Sequence, residues 1–590
     1  MADYVAPTRE IGFVINELLD YSRLNSLPDF VDATAELTDA ILDEAGKFAG
    51  QVLGPLNRVG DEQGVRIEDN TVVTPDGFKE AYQMFVENEW LSLAQSTEFG
   101  GQGLPFLIHL AASEMWNSAC LSMALCPMLT AGGIDAVSAH ATDVIKQKYM
   151  PQLVSGKWTA TMNLTESHAG SDLSTLKTKA EPQGDHYLVR GQKIFITWGE
   201  HDMAENILHI VLAPMTDAPP GNKGLSLFLV PKFLVNEDGS LGERNDVRVV
   251  STERKLGIHA SPTCVMSFGE NEGAIGYLIG EPGDGLACMF TLMNHARLEV
   301  GLEGVALAER AYQDALAYAR ERVQGRNVES GESAAIIQHP DVQRMLMCMK
   351  SLTDAMRGLT YDGAYSHDFR IHGSDDERRH YGERFALLTP VVKAWCTELV
   401  NEITSIGIQV HGGMGFIEES GAAQHYRDAR ITSIYEGTNG IQANDLVGRK
   451  VLRDQGAALG SYLEEITETV DRLGAIEALK PLSIDLANAR DNLREASSYL
   501  VENAQSHQKF VGAVAYNFLM MMGYVAGGWY MAKSAEIAFA NLDGDEKAFY
   551  EKKLTSARFY FSQLLPRHRS YMDAVTGGAE IGVALSDSSF

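Results

Sequence analysis

The chain has 590 residues, of which 45% are hydrophobic, 22% charged and 8% aromatic, and its formal net charge at pH 7 is −30. This length and composition exclude a small binding module and a wholly disordered chain, and they predict a soluble protein of several domains. The acidic balance argues against a nucleic-acid partner, because it repels phosphate backbones over most of the surface.

The N-terminal sequence MADYVAPTREIGFVINELL predicts an amphipathic helix, and it lacks the basic-then-apolar order of a secretory signal. The six cysteines show neither CxxC spacing nor a spacing paired with histidines, so we expect no metal site and no disulfide framework. A reducing, cytoplasmic location is the resulting expectation, with attachment to the periphery of the inner membrane as its variant.

The sequence predicts helices, then a β domain, then helices again. Residues 1–160 carry apolar residues at three- and four-residue steps, as in PFLIHLAASEMWNSACLSMAL, and are predicted to be helical. Residues 161–282 change to short β-branched runs such as KIFITW and NILHIVLAP, which are typical of strands. Residues 283–455 suit a four-helix bundle, and residues 456–590 predict an additional helical domain.

One uncharged segment between Lys509 and Lys533, FVGAVAYNFLMMMGYVAGGWYMA, is long enough to cross a bilayer. Its asparagine, tyrosines and four glycines dilute the hydrophobicity and indicate close helix packing. We therefore predict a buried helix of a bundle, with membrane-surface contact and a true span as the alternatives.

The stretch ITSIYEGTNGIQAND places one carboxylate, Glu436, among apolar and small neutral residues. A glutamate in a loop usually lies in water, but Ile434 and Tyr435 favour burial and would carry Glu436 inward. Burial raises the pKa of a carboxylate and makes it a better base near neutral pH. From these residues alone, a solvated acid and a buried base both stay open.

Three further stretches could hold a ligand, and each also has an ordinary structural explanation. MNLTESHAGSDL offers backbone N–H groups and the hydroxyls of Thr165 and Ser171, which suit a phosphate or the polar edge of a flavin, although a plain turn looks the same. KIFITWGE ends a strand with an aromatic residue beside a hydroxyl, which could flank a planar ring or fill the core. QVHGGMGF ends a long helix in paired glycines, as a simple C-cap also does.

Taken in order, EFGGQG, TESHAGSD, GQKIFIT, YARERVQGR, QVHGGMGF and RDARITSIYEGT closely resemble the acyl-CoA dehydrogenase family, from about Phe78 to about Leu452. That family has a helical N-terminal domain, a middle β-barrel-like domain and a C-terminal four-helix bundle, so the resemblance agrees with the predicted mainly α fold with a central β domain. The C-terminal extension resembles that of the large bacterial members and of the very-long-chain branch.

The resemblance implies FAD as cofactor, an acyl-CoA thioester as substrate and Glu436 as the catalytic base. In the family the base removes an α-proton while a hydride leaves Cβ for the flavin, which yields a trans-2-enoyl-CoA. The Glu436 N–H and a flavin hydroxyl would stabilise negative charge on the thioester carbonyl. An electron-transfer flavoprotein is the implied acceptor, and the family's shared flavin sites imply at least a homodimer.

The resemblance also assigns the other site residues. Thr165 would lie near the reactive edge of the flavin, Arg322 would reach the FAD pyrophosphate of a neighbouring subunit, and Gln409 through Gly413 its adenine half. The residues predicted to bind FAD are Met162, Leu164, Thr165, Gly170, Ser171, Phe195, Ile196, Thr197, Arg322, Gln409, Gly412, Gly413, Thr438 and Asn439. The predicted substrate contacts are Ser171, Asn294, Arg297 and Gly437.

The chain departs from the family pattern at several positions. Phe195 stands where tryptophan is common, with Trp198 close by, and Gly325 stands where phenylalanine is common. Ser167-His168 replaces the usual Pro-Gly. These departures affect the flavin stacking and the subunit interface more than they affect the predicted base.

The main functional prediction is dehydrogenation of medium- to long-chain acyl-CoA in fatty acid β-oxidation. The alternative is 3-methylthiopropanoyl-CoA dehydrogenation in sulfur-compound catabolism, because that branch shares this chain length. An acyl-CoA oxidase and a non-catalytic acyl-CoA- or flavin-binding protein are the rivals. Some branches supply the base from the residue before the substrate arginine, where this chain has Ala296, although Glu299 lies close enough to be tested.

Overall fold

The structure is a computed structural model that describes residues 3–506 and 508–589. Its contacts divide the chain into two compact units: the first combines Met1–Asp43 with Val300–Phe590, and the second is Glu44–Glu299. The predicted domain boundaries stay predictions. The α-helices, in chain order, are α1 (Thr8–Gly12), α2 (Tyr21–Asn25), α3 (Ala35–Phe48), α4 (Gly54–Gln63), α5 (Phe78–Glu87), α6 (Phe106–His140), α7 (Asp143–Val154), α8 (Gly285–Glu321), α9 (Pro340–His372), α10 (Asp375–His411), α11 (Ala422–Ala429), α12 (Asn439–Asp445), α13 (Ala457–Gly474), α14 (Lys480–Asn503), α15 (Phe510–Ala540), α16 (Lys547–Phe559) and α17 (Arg567–Gly577).

The second unit contains the main β-sheet, whose strand order is β10-β11-β5-β12-β7-β6-β3, with β4 paired to β5. The strands, in chain order, are β1 (Arg66–Glu68), β2 (Thr71–Val73), β3 (Trp158–Asn163), β4 (Lys179–Gln183), β5 (His186–Thr197), β6 (Asn206–Pro214), β7 (Leu225–Pro231), β8 (Phe233–Val235), β9 (Leu241–Arg244), β10 (Val247–Thr252), β11 (Thr263–Phe268), β12 (Ala274–Ile279), β13 (Val323–Arg326) and β14 (Ser333–Ala335).

Alternation and burial explain why these stretches form strands. β6 is buried along its length except at Pro214, as expected for an interior strand covered on both faces. β3 and β6 pair in parallel, whereas the other neighbours in the sheet pair antiparallel. The inward side chains form one apolar core that includes Val189, Ile196, Phe228 and Met266. The predicted central β domain is therefore confirmed.

Long helices dominate the first unit, as the periodicity predicts. α9, α10 and α15 pack against one another. α10 begins at a capping box, in which the Ser374 hydroxyl accepts the backbone N–H of Glu377 and the Glu377 carboxylate accepts the backbone N–H of Ser374 at 3.0 Å. It ends where Gly412 takes a φ of +62°, which a residue without a Cβ adopts readily.

Buried charges tie the N-terminal segment into this unit. The predicted amphipathic helix begins only at Thr8, after Pro7. The Glu10 carboxylate accepts a hydrogen bond from the Lys350 ammonium at 3.0 Å and forms an ion pair with the Lys553 ammonium. Burial opposes ionisation of Glu10, but the two ammonium groups outweigh it and hold the pKa of this carboxyl well below its usual range.

Two helices, α6 and α15, are long and apolar enough to span a membrane by length and composition alone. Their most apolar windows are 94% and 72% buried within the protein, respectively. The core helices of soluble proteins pass the same test, so these two helices are weak evidence for a membrane. The burial of α15 agrees with the predicted bundle helix, and contact with a membrane surface stays a prediction.

Gly523→Ala is expected to destabilise the protein by about 1–3 kcal/mol, because a Cβ there would lie 2.2 Å from Cγ of the buried Trp395 ring. Gly512 lies on the same helix with open space around it. Gly512→Ala should therefore stabilise by up to about 1 kcal/mol through helix propensity. Apparent melting temperatures of both variants test the packing, and equal shifts would contradict it.

Candidate active site

A buried carboxylate inside the motif TESHAGSD holds the loop with the first predicted flavin contacts. Glu166 is 5% exposed and accepts the backbone N–H groups of Lys177 and Thr178 at 2.8 and 3.0 Å. The ammonium of Lys193, on β5, donates to Glu166 Oε1 at 3.0 Å and to the carbonyl oxygen of Leu164 at 2.8 Å. One ion pair thus fixes both ends of the loop to the sheet.

Burial and mutual attraction oppose each other in this pair. Burial lowers the pKa of Lys193 to about 8. Burial would raise the pKa of Glu166, but the Lys193 ammonium and the two backbone N–H groups outweigh it and hold that pKa below its usual range. Both groups are therefore charged at neutral pH, and each depends on the other for its solvation.

β5 carries a bulge at the second predicted flavin stretch. Its pairing with β11 slips by one residue between Lys193 and Ile196. Phe195 lies in this slip with a φ of +60°, a left-handed value that bulky side chains rarely adopt. Ile196 is buried in the sheet core, whereas the Phe195 side chain is 58% exposed. The strained bulge therefore presents an aromatic ring at the surface of this unit.

Trp198 does not take over the role of the tryptophan that Phe195 replaces. Its side chain is fully buried, and its indole N–H donates to the carbonyl oxygen of Ser122 at 3.2 Å. Trp198 is thus a core residue that ties β5 to α6, and Phe195 is the ring that remains available to a ligand.

The two predicted flavin stretches lie side by side, because the Ile194 N–H donates to the Thr165 carbonyl at 2.9 Å. Thr165 and Thr197 are half-buried and Ser171 is exposed. Accessible hydroxyls and an aromatic ring on a loop and strand held by a buried ion pair fit a flavin, since they can bond its polar edge and cover its ring. The other residues predicted here are Met162, half-buried, Leu164 and Ile196, buried, and Gly170, exposed.

The predicted substrate residues of α8 differ in exposure. Asn294 is half-buried, and Arg297 is 6% exposed. The Arg297 guanidinium lies 5.9 Å from the centre of the Phe290 ring. A buried guanidinium at this place can direct a polar group of a ligand, and the roles of both residues toward a substrate stay predictions.

A buried cluster of ionisable groups lies next to these residues. Glu299 Oε1 is 3.8 Å from His109 Nε2 and 4.0 Å from His295 Nε2, and His295 Nδ1 is 2.9 Å from Asp135. Burial raises the pKa of the Glu299 carboxyl to about 7, and burial lowers the pKa of His109 to about 3. Glu299, in the second unit, therefore changes its charge near neutral pH.

Glu299→Gln is expected to stabilise the protein at pH 8.5 and to have little effect at pH 5. Burial raises the pKa of Glu299 in the folded protein to about 7, above the ordinary value of 4.5. The contribution of the buried, protonated carboxyl to stability is therefore full at low pH and is lost as pH rises through 7. The loss amounts to about 3 kcal/mol. Thermal melts at both pH values test this, with the exposed Glu329→Gln as control, and an equal shift at both would contradict it.

In the first unit, Glu436 stands in a strained loop before α12. Its φ is +56°, and Gly437 follows at +85°. Glu436 is half-buried, with Oε2 shielded from solvent. Tyr435 anchors the loop inward, since its hydroxyl donates to the buried Glu303. The expectation that Ile434 is buried is wrong, because its side chain is 45% exposed.

The residues after the predicted base divide between surface and interior. Thr438 is exposed and caps α12, and its hydroxyl accepts the N–H of Ile441 at 3.4 Å. Asn439 is 4% exposed, and its carboxamide is directed toward α10. A contact between Asn439 and a cofactor would therefore come from its backbone, whereas the side chain of Thr438 remains accessible.

The residues predicted for the distant half of FAD gather at one end of α8 and α10. Arg322 is exposed, and its N–H donates to the carbonyl oxygen of Tyr318. The Tyr318 ring stacks on His411 with centroids 4.5 Å apart. This contact brings Arg322 next to the helix end that carries three exposed predicted residues, Gln409, Gly412 and Gly413.

Four residues that hold these two loops were given no supporting role of their own by the sequence: Glu166, Lys193, Lys393 and Gln442. Lys393 is fully buried on α10, inside the apolar run PVVKAW, and a lysine in such a run is the signal that could have identified it. The other three lie within the quoted motifs. Among the described residues, no group of three His, Cys, Asp or Glu side chains is arranged to hold a metal ion.

Family models match four consecutive parts of the chain. They are described as acyl-CoA dehydrogenase N-terminal domain over 36–157, middle domain over 161–270 and C-terminal domain over 283–451, and as acetyl-CoA dehydrogenase C-terminal like over 462–586. The chain therefore belongs to the acyl-CoA dehydrogenase family, FAD-dependent oxidoreductases that act on the CH–CH group of acyl-CoA. The predicted family and cofactor are confirmed.

Individual relatives refine this result. The chain is 45% identical to the 3-methylmercaptopropionyl-CoA dehydrogenase of Ruegeria pomeroyi, over 95% of this chain and 96% of the relative. It is 34% identical to a butyryl-CoA dehydrogenase of Syntrophomonas wolfei, over 96% and 95% of the two chains. The fold resembles that of an acyl-CoA dehydrogenase from Bacillus anthracis complexed with FAD, with a TM-score of 0.74, 21% identity and coverage of 94% and 90%.

Proposed function

We propose that this protein dehydrogenates 3-methylthiopropanoyl-CoA, a short thioether acyl-CoA, between Cα and Cβ. The observation that carries the proposal is the 45% identity to the Ruegeria pomeroyi enzyme over nearly both whole chains, against 34% for the butyryl-CoA enzyme over a similar length. That relative is named for the same acyl group, since 3-methylmercaptopropionyl and 3-methylthiopropanoyl are synonyms. Medium- to long-chain β-oxidation, the main prediction from sequence, thereby becomes the second candidate.

Glu436 is proposed as the base. Its carboxylate accepts the Cα proton, while the electron pair of the Cβ–H bond leaves as hydride and a trans-2,3 double bond forms. FAD, when bound, supplies the hydride acceptor. A half-buried carboxylate in a fixed loop suits this task, because reduced hydration makes it a stronger base and a rigid backbone gives it a defined direction.

We propose that a second copy of the chain covers the segment after α10. This segment exposes Phe416 by 85%, Met414 by 49% and Ile417 by 45%, next to the positions predicted for the adenine half of FAD. Adjacent large apolar side chains at a surface commonly mark an interface between proteins. An electron-transfer flavoprotein is proposed as acceptor on the family resemblance alone.

The proposed substrate is tested by anaerobic titration of the purified flavoprotein with acyl-CoA thioesters. Pentanoyl-CoA is the matched control, because it differs from 3-methylthiopropanoyl-CoA only by CH₂ in place of sulfur; butanoyl- and palmitoyl-CoA extend the range. We expect loss of the flavin absorbance with the thioether, at an apparent second-order rate of flavin reduction about 10-fold above that with pentanoyl-CoA. Preference for palmitoyl-CoA would support the second candidate, and no bleaching by any thioester would favour a non-catalytic binding protein.

A further inference from the structure

A lysine is buried behind the loop that carries Glu436. Lys393 is fully buried on α10, and its ammonium donates to Asn439 Oδ1 at 2.9 Å. A buried ammonium costs several kcal/mol unless acceptors replace its water. An apolar residue would pack at this depth without that cost. The hydrogen bond to Asn439 is therefore what the lysine contributes, because it holds the Asn439 carboxamide in place.

The Asn439 carboxamide is held on both sides by α10. Because an ammonium can only donate, the carboxamide oxygen faces Lys393, and its nitrogen donates to Glu398 Oε1 at 2.8 Å and to Thr397 Oγ1 at 3.0 Å. The Thr397 hydroxyl itself donates to the Lys393 carbonyl oxygen at 2.7 Å, which leaves its own oxygen free to accept from Asn439. The start of α12 is thereby fixed in one orientation on α10.

α12 in turn holds the backbone of the predicted base. The side chain of Gln442 is fully buried and donates to the carbonyl oxygens of Glu436 and Gly437, each at 3.1 Å. A left-handed φ at a non-glycine residue such as Glu436 costs about 1 kcal/mol and persists only where surrounding contacts determine it. These two hydrogen bonds fix the peptide groups on the C-terminal side of that strained residue.

We propose that Lys393 is a positioning residue for the dehydrogenation: through Asn439 and α12 it fixes the backbone at Glu436 and so the direction of the base. This inference rests on the proposed function. In this role Lys393 acts through Asn439 and not on the substrate. Thr397 and Glu398 complete the same contact.

The contact also gives the C-terminal helical extension a place in the site. Tyr516 of α15 lines the same pocket as Glu398, the carboxylate that accepts a hydrogen bond from the Asn439 carboxamide. α15 also packs directly against α10 and α12. The extension thereby supports the two helices that hold the loop of the predicted base.

Lys393→Met in the FAD-loaded protein tests the proposal. We expect the rate of flavin bleaching by saturating thioester to fall about 10- to 100-fold, with substrate affinity and FAD content nearly unchanged, because misplacing a base affects the transition state more than binding. Backbone amide exchange over residues 434–442 should become faster. Bleaching at the wild-type rate would overturn the positioning role.

If Lys393→Met does not fold, a pair of smaller substitutions on α10 tests the same contact. Thr397 and Thr404 are both buried on α10 and both bond the carbonyl four residues earlier, but only Thr397 also meets Asn439. Thr397→Val should slow bleaching and speed loop exchange, whereas Thr404→Val should do neither. If no thioester bleaches the wild type, the proposed function fails, and the exchange data still decide whether this contact holds the loop; equal exchange in both variants overturns it.

Discussion

Glu436→Gln is expected to slow reduction of the bound flavin by acyl-CoA by at least about 10³-fold while FAD stays bound. Glutamine has nearly the same shape but cannot accept the Cα proton. The backbone of the loop should stay in place, because Gln442 bonds the carbonyl oxygens of residues 436 and 437 rather than the carboxylate. Anaerobic stopped-flow measurement of the flavin absorbance gives the rate, and the absorbance ratio to protein gives the FAD content.

Glu299→Gln is the matched comparison, since Glu299 is the other carboxyl whose burial could suit it to act as a base. We expect this variant to bleach within about threefold of the wild-type rate, far less than the 10²–10⁴ that a general base contributes. Near-normal rates in Glu436→Gln together with a collapse in Glu299→Gln would reassign the base to α8. A collapse in both would place Glu299 in the reaction as well.

The sequence predicts much of this fold because its helices and strands differ in period. Three- and four-residue apolar steps correctly predicted α6, α9 and α10, and short β-branched runs correctly predicted β5 and β6. The glycine pair of QVHGGMGF correctly predicted the end of α10 at His411. These are local properties, and local properties are what periodicity reports.

The features that pattern reasoning missed depend on contacts distant in the chain. Glu166 meets Lys193 from 27 residues away, and Lys393 meets Asn439 from 46 residues away. No local rule separates a lysine that pairs inside from one that extends into water. The same limit explains Ile434, whose apolar character predicted burial although its side chain is exposed. Burial of a single side chain is decided by tertiary packing.

Lys193→Met is expected to destabilise the protein by about 3–5 kcal/mol and to release FAD, because it leaves the Glu166 carboxylate buried without its cation. The loop with the first predicted flavin contacts would lose the bonds from this ammonium to Glu166 and to the Leu164 carbonyl. Urea unfolding and the FAD content after gel filtration measure the two effects. An exposed pair in the same unit, Arg248 and Glu270, provides the control: Arg248→Met should cost at most about 1 kcal/mol.

The double variant Glu166→Gln/Lys193→Met separates the charge from the fold of the loop. Removing both charges eliminates the uncompensated buried carboxylate, so its stability should recover most of what Lys193→Met loses. FAD content should recover less, since Leu164 still lacks the donor that fixes its carbonyl. Full recovery of both would mean that the ion pair only compensates its own burial. Recovery of stability without FAD would mean that the pair shapes the loop for the flavin, and this is the result we expect.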